Sequence, residues 1–242
     1  MTPPLYLAGG FAQRAVDGMD RLEKDLIAWR HVLARSKTMA TKLLAAQAVK
    51  EDVTILAAMA EGRTRLTGLL RSDDTWWCID ALERLGAGVA VEGTTAVLDG
   101  IGRRRPQQGD LHVGSAGTVA RFLPPFLAAG EAGDWRVTAS RQMSRRPVAP
   151  LFDTLRQGGA AIVHEGAPGC YPVRITGASF KGGKLGISGS VSSQFISGIL
   201  MGAAQTRDGV TLAVDGGIVQ GEYVRITLDA MHHFGATVEA DG

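Results

Sequence analysis

Two stretches of small and hydroxyl-bearing residues stand directly before apolar runs. Gly114-Ser115-Ala116-Gly117-Thr118 precedes VARFLPPFLAAG, with Arg121 one turn further on, and Gly189-Ser190-Val191-Ser192-Ser193-Gln194 precedes FISGILMGAAQ. At the start of a helix such residues leave backbone N–H groups free, and the helix dipole favours an anion beside them. The Ser192 and Ser193 hydroxyls add donors, and Gln194 can both donate and accept. Each stretch alone is also what an ordinary N-cap looks like. Ser144-Arg145-Arg146-Pro147 opens another helical pattern, with proline suited to its first turn. A guanidinium there could hold a phosphate or carboxylate bidentately, or lie in solvent. Tyr223 could reach a ligand through its hydroxyl or simply pack. His31, His112, His164 and the pair His232-His233 have no metal-ligand spacing, and no Ser–His–Asp arrangement can be argued.

Such residues need a frame, and the chain repeats itself. Segments beginning at Arg63, Asp134 and Gly209 each read as a short strand, a turn, an amphipathic helix, a Gly-Ala break and an alternating strand. The breaking glycines, Gly86, Gly159 and Gly235, lie 73 and 76 residues apart. Upstream of each lies another apolar helix: ILAAMA, TVARFLPPFLAAG and SSQFISGILMGAAQ, ending near Gly62, Gly133 and Gly209 at spacings of 71 and 76. A repeat this long exceeds a solenoid unit, so three copies are expected to close around a shared helical core. In the last copy Val224, Leu228, Met231 and Phe234 form one apolar stripe, and residues 210–214 read as a buried strand. Ser72-Asp73-Asp74-Thr75 reads as a helix cap, Trp76 and Trp77 as helix packing, and Arg103-Arg104-Arg105 as a solvated loop. Residues 1–35 fall outside the pattern and are expected to form a helical extension, with Met19, Leu22, Leu26, Trp29 and Leu33 on one side.

Composition narrows the functional classes. Hydrophobic residues make up 45% and charged residues 21% of 242, which excludes wholesale disorder. The net charge of +2 argues against a dedicated nucleic-acid binder. No apolar run approaches the roughly 18 residues of a membrane span, and MTPPLYLAGG lacks the pattern of a signal peptide. Cys78 and Cys170 form no CxxC, so no metal site or disulfide framework is expected and a cytoplasmic protein is the default.

The motifs GSAGTVARFL (114–123), SRRPVAPLFDTLRQGGA (144–160), GSVSSQFISGILMGA (189–203) and AEGRTRLTGLLRSDDT (60–75) closely resemble the 5-enolpyruvylshikimate-3-phosphate synthase family. They occur in the family's order and intervals, from about residue 55 to 242. The resemblance implies an α/β fold: one lobe of an inside-out α/β barrel built from three βαβαββ repeats. The lobe would span 36–242, with repeats at about 36–108, 109–181 and 182–242.

The resemblance also implies an activity. An enolpyruvyl group passes from phosphoenolpyruvate to the 5-hydroxyl of shikimate 3-phosphate by addition–elimination, releasing phosphate without a cofactor. Carried over by motif, Ser192, Ser193 and Gln194 would hold shikimate 3-phosphate, with Tyr223 beside them. Arg146 would hold phosphoenolpyruvate, and Gly117 would line the phosphoenolpyruvate and glyphosate pocket. Thr118 and Arg121 belong to the same signature helix. Ser115 stands where the family has Asn, and Gln220 where it has Ser. In the family register Gln47, Ala48 and Asp52 stand where a Lys-Ser-x-x-x-Arg motif belongs, and Lys37 is the nearest candidate for the missing lysine.

The family's second lobe has no counterpart among the three repeats. A truncated or split lobe, inactive alone, is therefore expected, completed by a complementary C-terminal lobe or by self-association. A related transferase acting on a UDP-sugar fits less well, because Ser192-Ser193-Gln194 suits phosphoshikimate. A non-catalytic phosphoshikimate-binding or partner protein is the reading from another class.

Overall fold

The computed structural model of the chain describes residues 5–8 and 51–240. Three helices form its centre: α1 (residues 51–59), α3 (Val119–Ala129) and α5 (Ser193–Ala203). Every residue of α1 is buried, and so are nearly all of α3 and α5. Helices apolar on all sides are stable only when surrounded by protein. Three further helices are amphipathic and bury one face: α2 (Asp73–Arg84), α4 (Ala149–Gln157) and α6 (Gly221–His233). On α2 the inward stripe is Thr75, Cys78, Ala81 and Leu82, and Ser72 caps its start by accepting from the Thr75 N–H at 3.2 Å. On α6 Val224 and Met231 are buried, with Leu228 and Phe234 packed more loosely beside them.

Three sheets surround these helices. The first is antiparallel, with β4 (Thr95–Ile101) between β2 (Glu61–Thr67) and β3 (Gly88–Glu92). The second has the order β5-β6-β8-β7, from β5 (Gln108–His112), β6 (Asp134–Thr138), β7 (Ala161–His164) and β8 (Val173–Thr176). Its parallel pair, β5 and β6, is joined through α3. In the third, β9 (Gly183–Ser188) and β10 (Val210–Asp215) are parallel and joined through α5. Strand β1 (Leu5–Ala8) lies antiparallel between β10 and β11 (Thr237–Ala240). It takes the place that β8 holds between β6 and β7, so a strand from the first ten residues belongs to the last sheet. The helix expected over residues 19–34 lies outside the described residues.

Repeat glycines behave as the spacing predicts. Gly86, Gly159 and Gly235 follow α2, α4 and α6 with φ of +96°, +90° and +83°, the left-handed turn that ends a helix. Small residues also set the closest helix contact. A methyl group on Gly198 would stand 2.5 Å from the Arg121 carbonyl, and one on Gly202 would stand 2.4 Å from the Pro125 side chain. Helix α3 continues through Pro124 and Pro125, which have no N–H to give the carbonyls of Ala120 and Arg121. The buried Tyr171 hydroxyl donates to the Ala120 carbonyl, and Gly198 faces that of Arg121.

The far ends of the central helices are tied by one polar link. Gln205, 3% exposed, donates from Nε2 to the carbonyls of Met59 at 3.0 Å and Gly102 at 2.9 Å. Its Oε1 accepts from Arg105 Nη2 at 2.5 Å, while Arg105 lies 3.9 Å over the Phe126 ring. This corrects the expectation of a solvated arginine loop. Arg103 and Arg104 are exposed, but the Arg105 guanidinium is buried, and burial, with Arg103 nearby, lowers its pKa to about 9. The two tryptophans also differ. Trp77 packs against His112 and directly over Gly114, whereas Trp76 is 57% exposed.

Candidate functional site

The near ends of the central helices carry most of the expected site residues. The Gly114–Thr118 turn follows β5 and leads into α3, whose start has no side-chain cap. Arg121, one turn along, donates from Nη1 to the Gly117 carbonyl at 2.5 Å. A β-carbon at Gly117 would lie 3.0 Å from Arg121 Nη1 and 3.8 Å from Arg146 Nη1, so one glycine separates the backbone from two guanidinium groups. Arg146 reaches this point from the 3₁₀ turn Met143–Arg145 that leads towards α4. Burial, with Arg146 close by, pulls the Arg121 pKa down, and its Nε has no hydrogen-bond partner among the described residues. Two guanidiniums that meet at one glycine form a place for an anion.

The start of α5 supplies hydroxyls. Ser192 Oγ accepts from the Gln194 N–H at 3.2 Å, Ser193 is 2% exposed, and Arg121 lies 5.5 Å from the Phe195 ring. Helix α3 therefore presents Arg121 beside the helix that bears the serines. At the start of α6, Gln220 is exposed and adopts φ +55°, ψ +49° without capping the helix. That left-handed conformation costs a non-glycine residue roughly 1 kcal/mol. Ser115 is exposed and shares a hydrogen bond of 2.8 Å with Ser140. Lys37 lies outside the described residues.

Two carboxyls complete the site, and neither was singled out as a site residue from sequence. Tyr223, 8% exposed, donates its hydroxyl to Asp52 Oδ1 at 3.2 Å. Thr227 donates to Asp52 Oδ2 at 2.8 Å and is itself 2.8 Å from Ser197 Oγ. Asp52 and its neighbour Glu51 are both 0% exposed. Burial pushes the Asp52 carboxyl up to about 7 against the pull of the Thr227 and Tyr223 hydrogen bonds. Burial likewise pushes Glu51 up to about 8, with Asp74 and Asp52 adding to the rise and the Thr118 hydroxyl opposing it. Neither Glu51 oxygen has a geometric hydrogen-bond partner among the described residues. Sequence offered one signal for Asp52, an acid where the family register has an arginine. It offered none for Glu51.

Among the described residues no helix is long and apolar enough to cross a membrane, and no three His, Cys, Asp or Glu side chains lie where they could hold a metal ion.

Known proteins match this arrangement. The EPSP synthase (3-phosphoshikimate 1-carboxyvinyltransferase) family matches residues 47–242. The 3-phosphoshikimate 1-carboxyvinyltransferase 2 of Halalkalibacterium halodurans is 46% identical over 187 residues, 77% of this chain and 42% of that protein. The 3-phosphoshikimate 1-carboxyvinyltransferase of a Marinomonas species is 38% identical over 80% of this chain and 46% of its own length. The solved EPSP synthase of Acinetobacter baumannii superposes with a TM-score of 0.70 at 26% identity, covering 80% of this chain and 43% of that one. The chain thus spans somewhat under half the length of these relatives, and its α/β fold is that of one of their lobes. With four motifs, three sheets around a helical core and a match across 196 residues in agreement, the chain belongs to the EPSP synthase (3-phosphoshikimate 1-carboxyvinyltransferase) family.

Proposed function

We propose that this chain forms the substrate-holding lobe of an enolpyruvyl transferase that joins phosphoenolpyruvate to the 5-hydroxyl of shikimate 3-phosphate. The observation that carries this reading is the approach of Arg121 and Arg146 to Gly117 at the uncapped start of α3. In the proposed site these guanidiniums hold the phosphoenolpyruvate anion, while Ser192, Ser193, Gln194 and Tyr223 hold shikimate 3-phosphate. The hydroxyl adds to the enol carbon and a proton to the methylene carbon. Phosphate and a proton then leave from the tetrahedral intermediate. Holding two anions in attack geometry and stabilising developing charge are the contributions such a site makes to rate. Thr118, Ser115 and Gln220 border the ligands, and Lys37 would supply a further cation. The three repeats divide at about 36–108, 109–181 and 182–242, and full turnover requires a complementary lobe, placed by a partner or a second copy. The setting is the cytoplasm.

Calorimetric titration with shikimate 3-phosphate tests the reading. Saturable binding is expected, weakened at least tenfold in a Ser193→Ala, Gln194→Ala double variant that keeps its fold. A folded wild-type chain giving no heat of binding would overturn it. The buried acids Glu51 and Asp52 behind the anion face favour a second reading, a phosphoshikimate-binding protein without catalysis. Enolpyruvyl transfer upon addition of the relatives' other lobe would exclude that alternative.

A further inference from the structure

Glu51 and Asp52 are adjacent, wholly buried, and in contact with two residues of the proposed ligand face, Thr118 and Tyr223. A buried negative charge beside a site for anions opposes ligand binding, so the protonation state of this pair matters. The hydrogen bonds show how it acts on Tyr223. When Asp52 is ionised it accepts protons only, and both the Tyr223 and Thr227 hydroxyls are committed to it. Ser197 Oγ lies 2.8 Å from the Thr227 oxygen on its other side. Once Asp52 is protonated it can itself donate, and the Tyr223 O–H is released to turn towards a ligand.

We propose that Asp52, backed by Glu51, is a proton-dependent positioning residue for Tyr223, so that an anionic ligand binds to the protonated pair and is released as the pair ionises. This inference rests on the shikimate 3-phosphate reading above and adds a control to it. The groups facing the pair reinforce the coupling. Helix α2 contributes Asp74 and the Cys78 thiol, whose pKa is pushed up by burial and then by Glu51 and Asp52. Arg121 and Arg146 lie on the ligand side, with Arg121 acting on Tyr223 and Arg146 acting on Arg121 and Asp74. An anion seated on those arginines offsets their charge and adds its own, which drives a proton onto the carboxyls. Burial already raises both carboxyls towards neutral pH, Asp52 to about 7 and Glu51 to about 8.

The test is calorimetric titration of the whole chain with shikimate 3-phosphate from pH 6.5 to 9, in HEPES and in Tris. Those buffers differ in ionisation heat and so report proton uptake. Between pH 8 and 9 the Kd is expected to rise by up to about tenfold, as uptake of one proton requires. At pH 8 the binding heat should differ between the buffers. Asp52→Asn carries a permanent donor, so it should bind at pH 9 severalfold more tightly than wild type, with the pH dependence reduced to the part that Glu51 contributes. Tyr223→Phe, which keeps the ring packing, should also flatten the profile. A wild-type Kd independent of pH and buffer overturns the inference while leaving the ligand assignment in place, and so does a full pH slope in Asp52→Asn. Absence of binding at every pH overturns the ligand assignment and the inference together.

Discussion

The two ends of the central helices are built to opposite rules. At the far end Gln205 donates to the Met59 and Gly102 carbonyls and accepts from Arg105, whose Nη1 goes to the Arg103 carbonyl, so two carbonyls and all but the Nε of a buried guanidinium have partners among the described residues. At the near end, among the described residues, Arg121 Nε and both Glu51 oxygens lack a geometric hydrogen-bond partner, and Gln220 has a left-handed backbone. Helix carbonyls at one end and N–H groups at the other impose the signs. What differs is whether the protein supplies the counter-group. The far end is a joint in which side chain answers side chain and backbone, and the near end leaves two guanidiniums facing one glycine, so stability and binding should respond to different substitutions.

Breaking the Gln205 joint should have the largest effect. Gln205→Leu strands Arg105 and two carbonyls, and should lower unfolding free energy by about 3–5 kcal/mol in urea titrations. Replacing both partners, Arg105→Met with Gln205→Leu, should recover much of that loss. Equal losses in the single and double variants would mean that the joint is not where the stability resides.

The open end should respond to pH instead. Glu51 and Asp52 have folded-state pKa values raised above their ordinary 4.5 and 3.8, so the folded chain holds protons that the unfolded chain releases. Their effect is absent at acid pH, and stability falls as pH rises from about 4 to about 8 before levelling. Glu51→Gln should therefore add on the order of 2–4 kcal/mol at pH 9 and little at pH 5. A variant with the wild-type pH profile would place the proton elsewhere. The smallest change expected in stability is from Ser192→Ala, about 1 kcal/mol for loss of the α5 cap. Its loss of shikimate 3-phosphate affinity should be proportionally greater, and an unchanged Kd would restrict Ser192 to capping.

Much of this frame can be read from one-dimensional spacing, because the features are local. A glycine one step past a helix, an apolar run between turns and a serine before it act over fewer than ten residues. The repeats and the near-end motifs follow from such signals. Arg105 was misread because its partner, Gln205, is 100 positions away. Glu51 and Asp52 resemble the acids that often begin a helix, and only packing of α2, α3 and α6 around them reveals their burial. Sequence leaves Tyr223 between reaching a ligand and packing, and the Asp52 contact shows a buried phenol that donates its proton to a carboxyl. The strand at Leu5–Ala8 has no signal in sequence because four residues carry no periodicity, and its partners lie more than 200 positions on.

Helix α3 is completed by a group it does not contain. The hydroxyl that takes the Ala120 carbonyl, freed by Pro124, comes from Tyr171, 51 residues later in the chain. During synthesis the central helix must therefore wait for the β7–β8 hairpin before its Ala120 carbonyl is satisfied. Helix and hairpin should gain and lose their amide protection as one cooperative unit, linking the wall behind Arg121 to a strand pair on the outer surface.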